Sequence, residues 1–535
     1  MALMARQAGE GGRTARRPTA SPTSFRPSTQ QRNFLTGLQV TEQHILLEAR
    51  AGSGKSTTCR EGAKLLPRNA RAVYCCFNKT IADEFRPGLP RNCQAATMHS
   101  LGLRILREAF GQVEIEEHKV DRLAEKYFPG WERRGARIAV GRLVSLCKNL
   151  LADSSDREFL RELAAVYGID LPRDQTAEVL GVVNEVITEC GQATATIDFD
   201  DMIWLPVVRA IALPSQPDVV FVDEAQDLNA CQHAMLDLIC LTGRQIIVGD
   251  RYQSIYAFRG ANAESIPMLD ASLSATDRGL ARFPLTVTRR CPRSVVELAR
   301  QLVPDLDHLP DAPEGTIEQV KPEQWSADVA EGDMVLCRTN APLVSAAYRL
   351  IRSGVRASVR GRDIGKGILA LVARLRVRDV PSLARALEDY RSAELSRLSD
   401  LRNASAGVQA LNDRCDCLAA IAEGATSIEE VKARAESMFT DLAEHNCVSL
   451  SSIHRAKGLE RDRVVILRPE LIPGPWAATK EDLQQERNLG YVAVTRAKQR
   501  LTFAGDVPSL FQIHESADSK ESIDGSDCQA VGRNA

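Results

Sequence analysis

No stretch of eighteen apolar residues occurs in the 535-residue chain, so nothing in it is suited to cross a bilayer as a helix. An excess of one charge is also missing. The 68 lysines and arginines face 70 aspartates and glutamates, which removes overall electrostatics as an argument for nucleic-acid binding but leaves room for a local basic groove. Among the 14 cysteines there is no C-x-x-C pair and no histidine at zinc-ligand spacing, so a zinc site is not expected. The cysteines read as reduced, mostly buried small side chains of a cytosolic protein. The N-terminus has no apolar signal core. Arg6, Arg13, Arg16, Arg17 and Arg26 lie there among Ala, Gly, Ser, Thr and Pro, and 1–24 is expected to be a disordered basic tail, matched by a polar one over 515–535. No short-period repeat is present.

What remains is an ordinary globular composition, 44% hydrophobic and 26% charged, long enough for about three or four domains. The apolar run Ile45-Leu46-Leu47 leads into Ala49-Arg50-Ala51-Gly52-Ser53-Gly54-Lys55-Ser56. Such a strand-to-helix turn cradles phosphates on its backbone N–H groups, here those of Ala51, Gly52, Ser53, Gly54, Lys55, Ser56 and Thr57. Lys55 would reach the β/γ-phosphates and the Ser56 hydroxyl would hold Mg²⁺. Ala49 stands where the usual pattern has its first glycine, and a Gly-rich turn with a lone lysine is the plain alternative. A second site argues against it: Val219-Val220-Phe221-Val222 runs as a buried strand into Asp223-Glu224-Ala225-Gln226-Asp227. Of the two acids, Asp223 suits Mg²⁺ and Glu224 suits the water that attacks a phosphate. ATP and Mg²⁺ are therefore the expected ligands.

Strand-like runs alternate with helical ones, the pattern of parallel sheets covered by helices. The expected class is α/β, with two P-loop-type units carrying helical insertions. The first unit is placed at 25–102 and 193–270 around an insertion at 103–192. The second is placed at 271–379 and 445–514, starting near Phe283, around a short insertion at 380–444.

Three further runs follow: Val248 to Ala261, with Gly249-Asp250-Arg251-Tyr252-Gln253 and Tyr256-Ala257-Phe258-Arg259 in it; Ser452-Ile453-His454-Arg455-Ala456-Lys457-Gly458-Leu459-Glu460; and Gln485 to Lys498, with Tyr491-Val492-Ala493-Val494-Thr495-Arg496. In this order and spacing the set resembles the UvrD/Rep-like superfamily 1 helicases, nearest in its compact form to the F-box DNA helicase branch and its bacterial and phage relatives. The resemblance implies two RecA-like domains and ATP-driven 3′→5′ movement on single-stranded or tailed duplex DNA. It also implies a cytoplasmic protein of a bacterial or phage-type host, active in repair or recombination. Oligomeric state stays open, a monomer among the options, and protein partners are not indicated.

Carried over by position, the resemblance assigns Gln31 to the adenine edge, Lys55 and Ser56 to phosphate and Mg²⁺, Asp223 to Mg²⁺ and Glu224 to the base. Gln253 would sense the γ-phosphate, Arg290 and Arg496 would reach it from the second unit, and Glu460 would contact the ribose. Arg289 stands where many relatives stack an aromatic on adenine, which leaves base selectivity open. For the DNA strand the implied contacts are Phe77, Asn78, Lys79, Thr97, His99, Tyr256, Phe258 and Arg259, with His454 and Lys457 coupling the second unit. His99 could equally be a buried histidine; for Phe258 stacking is the favoured reading, with a core phenylalanine as the alternative. No nuclease-like carboxylate cluster follows Arg496. Besides a helicase, two readings stay in play: a translocase that strips proteins with little unwinding, and a nucleotide-gated DNA-binding module without motor activity.

Overall fold

Val219–Val222 is buried at all four positions, and so is Arg244–Gly249, as expected of parallel strands covered on both faces. The computed structural model describes residues 25–172, 174–256, 264–399, 405–440 and 446–511. The tails expected at 1–24 and 515–535, and the Phe258 and Arg259 assignments, lie outside the described residues. The first sheet has six parallel strands, in spatial order Cys93–Thr97, Ala72–Cys76, Val219–Val222, Arg244–Gly249, His44–Ala49 and Leu280–Leu285. Register sets apolar side chains opposite one another, Leu46 beside Ile247 and Tyr74 beside Phe221, the last two rings stacked with centroids 5.6 Å apart.

One boundary differs from the sequence reading. Leu280–Leu285 pairs with His44–Ala49, Leu47 opposite Phe283, so the first sheet runs beyond position 271 and past Phe283, where the second unit was expected to start. The strand sits at the sheet edge, where burial alternates rather than running continuously, and its sequence lacks the all-apolar signature of the inner strands.

The second sheet has seven parallel strands, ordered Thr316–Val320, Ala497–Ala504, Arg461–Leu467, Met334–Cys337, Val448–Ser452, Ala357–Arg360 and Phe439–Thr440. Between the two sheets a continuous apolar core joins Ala51 and Ile255 to Leu336, Ile453 and Tyr491. Helices Lys119–Glu125, Arg134–Leu150, Arg157–Val166 and Thr176–Gln192 form the first insertion. Asp156 caps one of them, accepting from Glu158 N and Phe159 N, which starts that helix ahead of Phe159. Helices Val380–Ser399, Ser405–Ala422 and Ile428–Met438 form the second insertion. The two insertions touch at Gly407, where a Cβ would lie 2.4 Å from Ala165 O. No described helix is long and apolar enough to cross a membrane. The thirteen described cysteines are all buried and free.

Candidate nucleotide site and nucleic-acid face

Parallel strands end on one edge of a sheet, and that edge is where α/β proteins bind ligands. Four of the six strands of the first sheet deliver site residues there. His44–Ala49 turns through Arg50–Gly54 into helix Lys55–Lys64, with Gly52 at φ 72° and Gly54 at φ 83°. These left-handed positions favour glycine, and a Cβ on Gly52 would lie 2.6 Å from Thr288 Oγ1 and from Arg290 Cβ. Val219–Val222 ends at Asp223, Arg244–Gly249 at Asp250, and Leu280–Leu285 leads to Arg289 and Arg290.

The resulting cleft, about 840 Å³, is lined by Ala51 to Thr57, Asp223, Glu224, Asp227, Gln253, Arg289, Arg290, Lys457, Glu460, Arg496 and Lys498. Both units contribute. Lys55 Nζ bonds Glu224 Oε1 at 2.6 Å and lies 3.9 Å from Asp223 Oδ1. Burial opposes the ionisation of Glu224, but Lys55 and Lys457 outweigh it and hold the carboxyl down to about 2. Burial likewise opposes the Lys55 charge, and the two acids outweigh it and raise its pKa. Burial pushes Asp223 up against the pull of Lys55, and the Tyr74 hydroxyl donates to its Oδ2 at 2.9 Å. Glu224 itself sits at φ 53°, a left-handed backbone that a non-glycine residue adopts only under strain. Gln226 fixes it from one side, donating from Nε2 to Glu224 while accepting Asp250 N at 3.0 Å.

Two observations fit a bound phosphate and its metal. Ser53 Oγ, buried in the loop, has no hydrogen-bond partner, and such a group is costly unless something pairs with it. Ser56 and Asp223 supply hard oxygen donors of the kind Mg²⁺ takes. A second acidic group, Asp198 and Asp201 with Cys190, already has its cations: Lys148 Nζ lies 2.8 Å from each carboxylate and Lys119 Nζ 2.6 Å from Asp201.

Arg290, just past the last strand of the first sheet, pairs with Glu460 of the second unit, so the residue expected at the ribose is held by an arginine expected at the γ-phosphate. Arg496 is 1% exposed and bonded to neutral oxygens, Val492 O at 2.8 Å, Leu459 O and Thr495 Oγ1 at 3.1 Å. Burial, then the like charge of Arg290, push its guanidinium down to about 10. Two cations brought together with incomplete neutralisation favour an anion beside them. Gln253 Nε2 donates to Asp250 Oδ2 at 2.7 Å. Lys457 Nζ crosses between the units to Asp227, at 2.6 and 2.7 Å, and to Gln253 O at 2.7 Å. Gln31 lies behind the loop, its Nε2 3.2 Å from where a Gly54 Cβ would be.

The residues assigned to DNA have local work as well. Phe77 is 49% exposed and, with Asn78, lines the same cleft. Asn78 caps helix Lys79–Phe85, accepting from Ile81 N, and Lys79 opens that helix, exposed. Thr97 caps helix Met98–Phe110 in a box with Ser100. His99 is half-buried, and burial lowers its pKa. Tyr256 donates its hydroxyl to His454 O at 2.9 Å, and Lys457 Nζ stands 5.2 Å from its ring centroid.

Several site residues escape sequence reasoning. Tyr491, fully buried on helix Lys480–Val494, accepts Ala51 N at 2.8 Å and lies 3.3 Å from Asp250 Oδ2, tying the second unit to the phosphate loop. Among Leu489, Val492, Ala493 and Val494 it reads as core. Arg50 bridges Asp305, at 2.7 and 2.8 Å, and Asp250, at 3.3 Å, and its only signal was its place inside the loop. Asp227 stood in the acidic run without an assigned task.

Residues 28–273 match the family described as UvrD/REP helicase N-terminal domain, and residues 373–505 that described as UvrD-like helicase C-terminal domain. The chain is similar to F-box DNA helicase protein 1 of Schizosaccharomyces pombe, 23% identical over 91% of this chain and 58% of that protein. It is similar to ATP-dependent DNA helicase PcrA of Leuconostoc citreum, 25% identical over 43% of this chain and 33% of that one. ATP-dependent DNA helicase UvrD2 of Mycobacterium tuberculosis is 25% identical over 77% of this chain and 67% of its own length. The chain thus spans 58% of the F-box helicase and a third of PcrA.

Proposed function

The chain belongs to the UvrD/Rep-like superfamily 1 helicases, and from that premise we propose that it is an ATP-dependent DNA helicase moving 3′→5′ on single-stranded or tailed duplex DNA. The observation that carries the proposal is the cleft lined by Lys55, Asp223 and Glu224 of one unit and Arg290, Glu460 and Arg496 beyond it. ATP is the substrate. Its γ-phosphate competes with Glu224 for Lys55, which frees the carboxylate to take a proton from the attacking water. Arg290 and Arg496 neutralise the charge that develops on the transferred phosphoryl group, a role worth about 10³- to 10⁵-fold in rate. Ser56 and Asp223 would hold Mg²⁺, which supplies further charge neutralisation when bound.

Loss of the γ-phosphate removes what Arg290, Arg496 and Gln253 grip, and the link from Lys457 to Asp227 and Gln253 O carries the change towards the DNA-facing segment after Gln253. Phe77, Asn78, Lys79, Thr97, His99, Tyr256, Phe258 and Arg259 are proposed along the strand, with His454 beside Lys457 in the coupling segment of the second unit. A second reading, protein stripping with little unwinding, draws on the small size of the insertion, three helices between Val380 and Met438.

The test is ATP hydrolysis with tailed DNA and tailed RNA, run beside strand displacement and protein displacement. DNA-stimulated hydrolysis that is lost in Lys55→Ala and Glu224→Gln, with 3′-tailed duplex opened preferentially, is the expected result. Full stimulated hydrolysis in those variants overturns the motor, and preference for 5′-tailed duplex overturns the polarity. Protein displacement without duplex opening selects the second reading.

A further inference from the structure

With the cleft read as an ATP site, a reading on which this inference rests, recognition of the base falls to Gln31 and Arg289. The Gln31 amide has one possible orientation. Ser28 N, a donor, points at Oε1 from 2.9 Å. Nε2 donates to Thr58 Oγ1 at 2.8 Å, and that hydroxyl gives its own hydrogen to Gly54 O at 2.9 Å. Arg289 NH2 then donates to the same Oε1 at 3.2 Å. A carbonyl oxygen has two lone pairs, and Ser28 and Arg289 take both. Gln31 is 2% exposed, whereas Arg289 is exposed, lines the cleft and is anchored by its backbone N–H on Gly52 O at 2.8 Å.

The two purines differ on the edge such a site reads. Adenine offers the N7 acceptor and the N6 amino donor, guanine the N7 and O6 acceptors. A glutamine that reads adenine in two bonds needs its oxygen free for the amino group and its nitrogen for N7. Here the oxygen is filled, and what faces the cleft is donors, the remaining guanidinium N–H groups of Arg289. Two donors match two acceptors. We infer that the site does not select adenine but accepts purine triphosphates with an O6 acceptor, GTP and ITP, within about tenfold of ATP or more tightly, and that Arg289 is the residue that sets this tolerance.

The experiment uses the full chain with Mg²⁺. Displacement of a methylanthraniloyl-labelled ADP by ATP, GTP, ITP and CTP is measured without DNA, then phosphate release from each with single-stranded DNA. ITP carries the O6 and N7 edge without the guanine amino group and so isolates the contact. GTP and ITP displacing the label within about tenfold of ATP or more tightly, with CTP weaker than all three, is the expected result. Arg289→Met frees the amide oxygen and removes the donors, and shifts the ATP to ITP affinity ratio about tenfold or more towards ATP. A preference for ATP above about tenfold over both GTP and ITP overturns the inference, as does CTP binding as tightly as the purines or a ratio unmoved by Arg289→Met. If ATP is hydrolysed and GTP and ITP are refused, the inference alone fails; if no triphosphate displaces the label, the ATP-site reading fails first.

Discussion

Tyr491 shows how much one hydroxyl can carry. Its oxygen accepts the Ala51 N–H at 2.8 Å and neighbours Asp250 at 3.3 Å, from a position 440 residues downstream of the loop. Removing it leaves a buried backbone N–H without a partner, a loss of about 1–3 kcal/mol. Tyr491→Phe is therefore expected to lower unfolding free energy by that amount in chemical denaturation, while a change under about 0.3 kcal/mol would mean that the amide finds another partner. The loop lysine and the acids after Val222 were legible in the sequence because their neighbours along the chain define their setting. Tyr491, the saturated amide of Gln31 and the pairing of Arg290 with Glu460 were not, since each depends on partners that only the fold brings near.

Elements explain why the DNA-facing assignments are hard to read from sequence. Thr97 ends strand Cys93–Thr97 and caps the helix that follows, with Ser100 N donating to its hydroxyl at 3.2 Å. Thr97→Ala should cost about 1 kcal/mol of stability, seen as a lower denaturation midpoint; an unchanged midpoint with weakened DNA affinity would make Thr97 a strand contact instead of a cap. The junction between the units behaves differently. Burial pushes Asp227 up to about 6 from an ordinary 3.8, against the pull of Lys457. Between those values the folded chain keeps a proton that the unfolded chain releases, so this group's contribution to stability falls as pH rises through the window and levels off above it. The stability of wild type minus that of Asp227→Asn should then decline from about pH 4 to about pH 6. A difference that stays flat or rises would contradict a buried, raised carboxyl. The inner strands announced themselves as unbroken apolar runs, whereas Leu280–Leu285, half-covered at an edge, resembled the start of another unit.

At the scale of the molecule, one apolar cluster joins residues of both parallel-sheet units, Ala51 of the phosphate loop among them, and both units line the cleft beside that loop. The two α/β units and their helical insertions were legible because periodicity and burial in such sheets follow from local pattern. Which residues bridge them was legible only where a motif marked the position, as for Lys457, Arg290 and Arg496. On the proposed function, a site built this way separates binding from chemistry: the loop of the first unit would hold the triphosphate, and the guanidinium groups beyond it would act when charge moves. Arg290→Ala is the direct trial, with labelled-nucleotide affinity and DNA-stimulated hydrolysis measured on the same preparation. Affinity within about tenfold of wild type and hydrolysis reduced about 10³-fold or more is the predicted result; hydrolysis within about tenfold of wild type would contradict a catalytic pocket completed by residues of both units.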